Sequence, residues 1–159
     1  MVFRLFWADE GGLPANDRGL AYGDGLFETI RMSGQQGVLL SRHLERLVRD
    51  ARRLGIEVTR KELANVCVEA AQRFADRFKA EGWILKLTLT RGSGGRGYRP
   101  DPGMEPNLLA SASPLPPAPD LAGVAVDFSK VPLAVNPLLA GIKSLNRIEQ
   151  VLAAAELGP

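Results

Sequence analysis

Hydrophobic residues recur along this chain with two different periods, and each change of period marks an element. Phe3, Leu5 and Trp7 alternate with other residues up to Asp9-Glu10-Gly11-Gly12, which predicts a first strand and its end. Leu26 to Met32 is rich in β-formers. The turn-rich Ser33-Gly34-Gln35-Gln36-Gly37 and then Val38-Leu39-Leu40 follow, the pattern of a hairpin with a five-residue loop. The spacing then becomes helical. Leu44, Leu47, Val48, Ala51 and Leu54 form one stripe, with Ser41 expected to cap its start and Gly55 its end. Thr59 and Glu62 make a capping box for a second helix, striped by Leu63, Val66, Cys67, Ala70, Ala71 and Phe74, and Gly82 closes that segment. Trp83, Leu85, Leu87 and Leu89 alternate strictly with Ile84, Lys86, Thr88 and Thr90, a half-buried strand; Leu108 to Ser113 is a further one.

Residues 1–113 therefore read as an α+β unit, strands with two helices on one face. Residues 114–119 hold four of the eleven prolines and predict a stiff linker. Residues 120–159 offer a strand over Val124 to Phe128 and one helix. That helix is striped by Leu145, Ile148, Val151, Leu152 and Ala155, with Ser144 as its expected cap. One strand and one helix cannot enclose a core, so the expectation is an incomplete start of a second domain.

Composition narrows the function. With 45% hydrophobic and 24% charged residues the chain is of ordinary globular type. A net charge of +2 is too small for the dense basic face that nucleic acid requires. The single cysteine, Cys67, has no partner for an internal disulfide and sits on a helix stripe, where it reads as a small buried hydrophobe. The single histidine, His43, has no ligand cluster around it, so no metal site is expected. Arg4 and Asp9 interrupt the apolar N-terminus, which is thus neither a signal peptide nor a membrane span. The expectation is a soluble cytoplasmic protein.

Four segments carry candidate chemistry. Gly19, Gly23 and Gly25 crowd the stretch Asp17 to Glu28 just before a strand, implying a tight turn or a close backbone approach. In His43-Leu44-Glu45-Arg46-Leu47, Arg46 lies off the apolar stripe and offers a planar fork suited to phosphate; solvated surface is the alternative. Arg91-Gly92-Ser93-Gly94-Gly95-Arg96-Gly97-Tyr98 reads equally as a hairpin tip or an anion-recognition loop, and it lacks the Gly-Lys-Ser/Thr of a nucleotide loop. In Asn136 to Arg147, Lys143 follows an apolar run just ahead of a predicted helix. Desolvation and the positive helix end would both depress its ammonium, although a solvent-reaching lysine has the same pattern.

Together these segments resemble the fold-type IV pyridoxal-phosphate enzymes, the D-amino-acid aminotransferase-like family. Asp17-Arg18-Gly19 with Tyr22-Gly23-Asp24-Gly25 resembles its N-terminal signature. His43-x-x-Arg46-Leu47 resembles its phosphate-contacting helix, and Lys143-Ser144-Leu145-Asn146 its cofactor-lysine motif. The 91–98 loop and the run from Asn136 to Gln150 resemble the family's aminodeoxychorismate lyases more than its aminotransferases. The resemblance implies a two-layer N-terminal domain and pyridoxal 5′-phosphate as cofactor. It makes Lys143 the Schiff-base lysine and general base, and Arg46 a cofactor contact. It also implies a small dicarboxylate substrate held by Arg96, Tyr98, Phe27 and, more weakly, Arg91. The implied reaction converts 4-amino-4-deoxychorismate to 4-aminobenzoate and pyruvate, on the way to folate, in a homodimer without nucleic-acid or membrane partners. A branched-chain or D-amino-acid aminotransferase, or a catalytically incomplete fragment that only dimerises or binds a partner, are the alternatives.

Overall fold

The alternating segments become strands and the segments of helical period become helices. The computed structural model describes residues 1–78 and 82–157. Its elements run β1 (Arg4–Trp7), α1 (Arg18–Tyr22), β2 (Gly25–Ser33), β3 (Gln36–Gly37), α2 (Leu40–Leu54), α3 (Arg60–Phe74), β4 (Trp83–Thr90), β5 (Asn107–Pro114) and α4 (Ile148–Ala155). The five strands form one sheet in the order β1-β5-β4-β2-β3, with β1 parallel to β5 and the other pairs antiparallel.

Alternation fixes the register, because a slip of one residue would turn every apolar side chain outward. Leu26, Ile30 and Met32 of β2, Leu85, Leu87 and Leu89 of β4, and Leu108 and Ala110 of β5 are all buried. Helices α2 and α3 bury Leu44, Leu47 and Ala51, and Leu63, Val66, Cys67, Ala70, Ala71 and Phe74. Phe74 meets Trp83 and Trp7 edge-on, with centroids 6.1 and 5.8 Å apart. This is the expected two-layer α+β arrangement. Burial pushes the Cys67 thiol up to about 12, so it is an inert core residue.

The second helix starts on its capping box. Thr59 Oγ1 accepts the Glu62 N–H and donates to Glu62 Oε2 at 2.6 Å. Thr59→Ala is expected to cost about 1 kcal/mol of stability, readable by urea denaturation; no loss would show that the exposed cap is replaced by water.

Several expectations need correction. The glycine-rich stretch after Asp17 is not simply a turn: α1 forms there, capped by Asp17 and closed by Gly23 in the left-handed conformation (φ 66°). The hairpin returns through only Gln36 and Gly37, and Val38-Leu39-Leu40 is not a strand. Leu40 opens α2 behind Leu39, itself left-handed at φ 54°, so Ser41 is no cap and instead donates to Glu45. Ser144 does not cap the last helix, which begins only at Ile148; it bridges to Leu26 instead. Val124 to Phe128 pairs with no strand among the described residues, and Phe128 is 97% exposed. The backbone just beyond it is held by carboxylates of α4 and its C-cap: Ala134 N–H donates to Glu149 and Lys130 N–H to Glu156.

Contacts divide the chain into two units. The first is Met1–Leu115 together with Lys143–Leu145; the second comprises Pro116–Ile142 and the residues from Asn146 on. The segment carrying Lys143 thus belongs with the sheet. Among the described residues no helix is long and apolar enough to cross a membrane, and no group of three acidic, His or Cys side chains could hold a metal ion.

Candidate active site

The site is built on the N-terminal half of β2, whose two faces do different work. Phe27 points to one face and Glu28 to the other, as strand pleating requires. Along this edge the Lys143 segment is joined to β2 by an isolated antiparallel bridge between Ser144 and Leu26. Phe27 N–H donates to the Lys143 carbonyl at 3.2 Å, and Leu145 N–H to the Gly25 carbonyl at 3.0 Å. Gly25 is what lets it approach: a Cβ there would stand 2.8 Å from Leu145 Cδ1 and 2.5 Å from the Leu89 carbonyl oxygen. From α2, the buried Asp50 accepts the Lys143 N–H at 3.2 Å, and its other oxygen takes Arg49 at 2.8 Å. The lysine's backbone is therefore fixed on both sides. Its Nζ lies 4.1 Å from the centroid of the Phe27 ring, and Lys86 Nζ approaches the same ring at 5.3 Å.

On the helix side of β2, Glu28 is a carboxylate among leucines. A buried charge is tolerated only when paired. Arg46 supplies a fork, Nε and Nη2 each 2.6 Å from a Glu28 oxygen, and His43 Nδ1–H donates at 2.7 Å. His43, Arg46 and Asp50 are spaced by three and four, so one face of α2 presents all three polar groups toward β2 and Lys143. Arg46 is held by Glu28, yet its side chain stays 40% exposed and its Nη1 makes no hydrogen bond among the described residues. Hydrogen bonding to Glu28 raises its pKa further, so the fork is always charged.

The 91–98 loop is anchored and not a free tip. Arg91 spans Asp24 at 2.7 and 3.0 Å and reaches the Leu54 and Gly55 carbonyls, so its donors serve the framework. Arg18 joins it on Asp24 at 2.9 Å. Burial alone would push the Asp24 carboxyl up, but the hydrogen bonds from Arg91 and Arg18 outweigh it and hold it below the ordinary 3.8. A depressed carboxylate stabilises at all pH above its ordinary value and loses that contribution only as pH falls through the folded one, so this anchor is intact at neutral pH. Tyr98 is exposed, edge-on to Tyr22 at 5.5 Å. Arg96 is exposed and makes no ion pair among the described residues.

Of the residues singled out from sequence, the structure thus joins Lys143 to Phe27, ties Arg46 to Glu28, commits Arg91 to Asp24, and leaves Arg96 and Tyr98 on an anchored loop. Four site residues were missed: Glu28, Asp50, Arg18 and Lys86. Glu28 had a signal, a carboxylate in register with the inward Leu26, Ile30 and Met32. Asp50 had a similar one, beside the stripe of Leu47 and Ala51.

The sequence profile of the amino-transferase class IV family matches residues 25–158, across nearly all of this geometry. The chain belongs to that family. A class IV relative, the aminodeoxychorismate lyase of Vibrio harveyi, is 34% identical over 96% of this chain and 57% of its own length. The crystal structure of 4-amino-4-deoxychorismate lyase from Pseudomonas aeruginosa superposes with a TM-score of 0.84 at 42% identity, covering 92% of this chain and 53% of that one. A hypothetical aminotransferase from Mycobacterium tuberculosis, in a PLP-bound form, is similar at 27% identity and a TM-score of 0.57 over 66% of this chain and 34% of its own. The chain spans about half the length of the curated class IV relatives it matches.

Proposed function

We propose that the whole protein is a pyridoxal-phosphate-dependent lyase that converts 4-amino-4-deoxychorismate to 4-aminobenzoate and pyruvate. The observation that carries the reading is the clamped lysine: Lys143 has its N–H on Asp50, its C=O on Phe27 and its Nζ against an aromatic face. A lysine held at both backbone groups beside an apolar ring suits covalent capture of an aldehyde, and the sheltering ring suits proton transfer. The 42% identity to the Pseudomonas lyase supports the substrate.

Lys143 would hold the cofactor through Nζ, and the exposed side of the Arg46 fork would hold its phosphate. When bound, pyridoxal phosphate supplies a sink for the electrons left behind when a proton departs beside the substrate amine. Lys143 Nζ is the base that takes this ring proton and returns it to the departing enolpyruvyl fragment. The ring leaves as 4-aminobenzoate and the fragment as pyruvate, so atoms balance without a second amino acceptor. Arg96, with Tyr98 beside it, receives one substrate carboxylate, and Lys86 adds a cation beside the Phe27 wall. The proposal includes a cytoplasmic homodimer.

An aminotransferase is the second reading, favoured by the likeness to the Mycobacterium aminotransferase. Incubating the full-length protein with 4-amino-4-deoxychorismate decides between them. Pyruvate formed in equal amount to 4-aminobenzoate with no keto acid added is the expected result. Turnover that requires a keto acid would overturn the lyase reading.

A further inference from the structure

Four of the seven positions that follow Arg91 in the 91–98 loop are glycine, yet almost all of it is fastened, and Arg18 does most of the fastening. The Arg18 side chain is only 5% exposed. Its Nη1 donates to the Gly97 carbonyl at 2.9 Å and its Nη2 to the Tyr98 carbonyl at 2.7 Å, the two residues that follow Arg96. Its backbone N–H donates to the Gly92 carbonyl at 2.9 Å, ahead of Arg96. Gly94 N–H reaches the Asn16 carbonyl, and a Cβ on Gly94 would press on Arg18 Cδ at 3.3 Å. Tyr22 completes the frame: Arg18 Cζ lies 4.9 Å from its ring centroid, and its hydroxyl accepts the Gly97 N–H at 3.2 Å. With Nε on Asp24, all three nitrogens of the guanidinium donate a hydrogen bond. Between these anchors stand only Gly95 and the exposed Arg96.

We infer that Arg18 is a positioning residue: its buried fork sets the loop so that Arg96 is aimed at a substrate carboxylate. This rests on the reading of Arg96 given above. A glycine-rich loop left to itself samples many conformations, and a cation on it would have to be ordered anew at each binding event. A fork that holds two successive carbonyls removes that freedom on one side of Arg96, and the Gly92 bond removes it on the other. No ammonium can do the same, because the two carbonyls and Asp24 require the planar array of donors.

The test is steady-state kinetics on full-length Arg18→Lys, Arg96→Ala, the double variant and Tyr22→Phe, with 4-amino-4-deoxychorismate as substrate, or with D-alanine and 2-oxoglutarate should the wild type need a keto acid. Arg18→Lys is expected to raise KM by about tenfold with kcat within about threefold and the bound-cofactor spectrum unchanged. Tyr22→Phe, which removes one hydroxyl and keeps the ring, is expected to shift KM the same way by about two- to threefold. In the Arg96→Ala background Arg18→Lys should add nothing to KM, which a merely structural role would not predict. Unchanged KM in both Arg18→Lys and Tyr22→Phe overturns the inference, as does an equal KM increase with and without Arg96. Should Arg18→Lys fail to fold, Tyr22→Phe with and without Arg96 decides on the same criterion. A wild type that needs a keto acid would overturn the lyase reading alone, since these comparisons hold for either reaction.

Discussion

Lys143→Ala is expected to abolish covalent retention of pyridoxal phosphate and to lower kcat by about 10²–10⁴-fold or more, the range in which a positioned general base contributes. Added amines are expected to restore little, because the lost group was held by its own backbone. Asp50 and Phe27 fix the Lys143 N–H and C=O, so the launch point of the side chain is set before any ligand arrives. The fold should be unharmed, since those anchors are backbone groups that alanine keeps. Borohydride reduction of the full-length holoenzyme followed by peptide mapping tests the assignment. The serious competitor is Lys86, whose Nζ approaches the same Phe27 ring at 5.3 Å against 4.1 Å for Lys143. A pyridoxyl group found on Lys86, or on Lys130, would remove Lys143 from its role. The distances favour Lys143; backbone fixation does not separate the two, because Lys86 is held in the middle of β4 between β2 and β5.

What the sequence makes legible is what local period controls. The stripes of α2 and α3 and the alternation of β4 place their side chains as expected, because burial rewards those positions whatever the rest of the chain does. The caps and edges fare worse. Ser41 looks like a cap, but the tight hairpin brings Leu39 into the left-handed region and starts the helix two residues sooner. Ser144 looks like another, but the segment that holds it is drawn onto the edge of β2, across more than a hundred residues of chain. Val124 to Phe128 has the alternation of a strand, yet alternation names only a face, and pairing needs a neighbour. The site shows the same division. Lys143 and Arg46 stand out by chemical type, whereas Asp50 matters only because folding brings it to a backbone N–H 93 residues away. Arg18 likewise sits in a signature stretch, but its job is visible only once Gly97 and Tyr98 lie against it.

Arg46→Ala is expected to harm both folding and cofactor binding, and the folding half is not what a helix-surface arginine would suggest. Read from sequence, Arg46 is an off-stripe cation whose loss should cost under about 0.5 kcal/mol of stability. In the structure it neutralises Glu28, which is 1% exposed and has, among the described residues, only His43 as its other partner. Stranding a buried carboxylate costs about 3–5 kcal/mol when the pair is fully enclosed. Arg46 is itself 40% exposed, so water entering the vacated space should reduce this to about 2–3 kcal/mol. Loss of a charge-assisted phosphate contact should separately weaken pyridoxal-phosphate affinity by about ten- to a hundredfold. A double-mutant cycle separates the two effects. In a Glu28→Gln background the carboxylate is no longer charged, and Arg46→Ala should then cost under about 1 kcal/mol in urea denaturation of the apo protein while still lowering cofactor affinity. Arg46→Lys should recover some stability but little of the affinity, since the fork is what lets one side chain serve Glu28 and a phosphate at once. Equal destabilisation by Arg46→Ala with and without the Glu28 charge would show that the arginine matters to the fold through its packing, and unchanged cofactor affinity would leave it a strut of β2 with no ligand to hold.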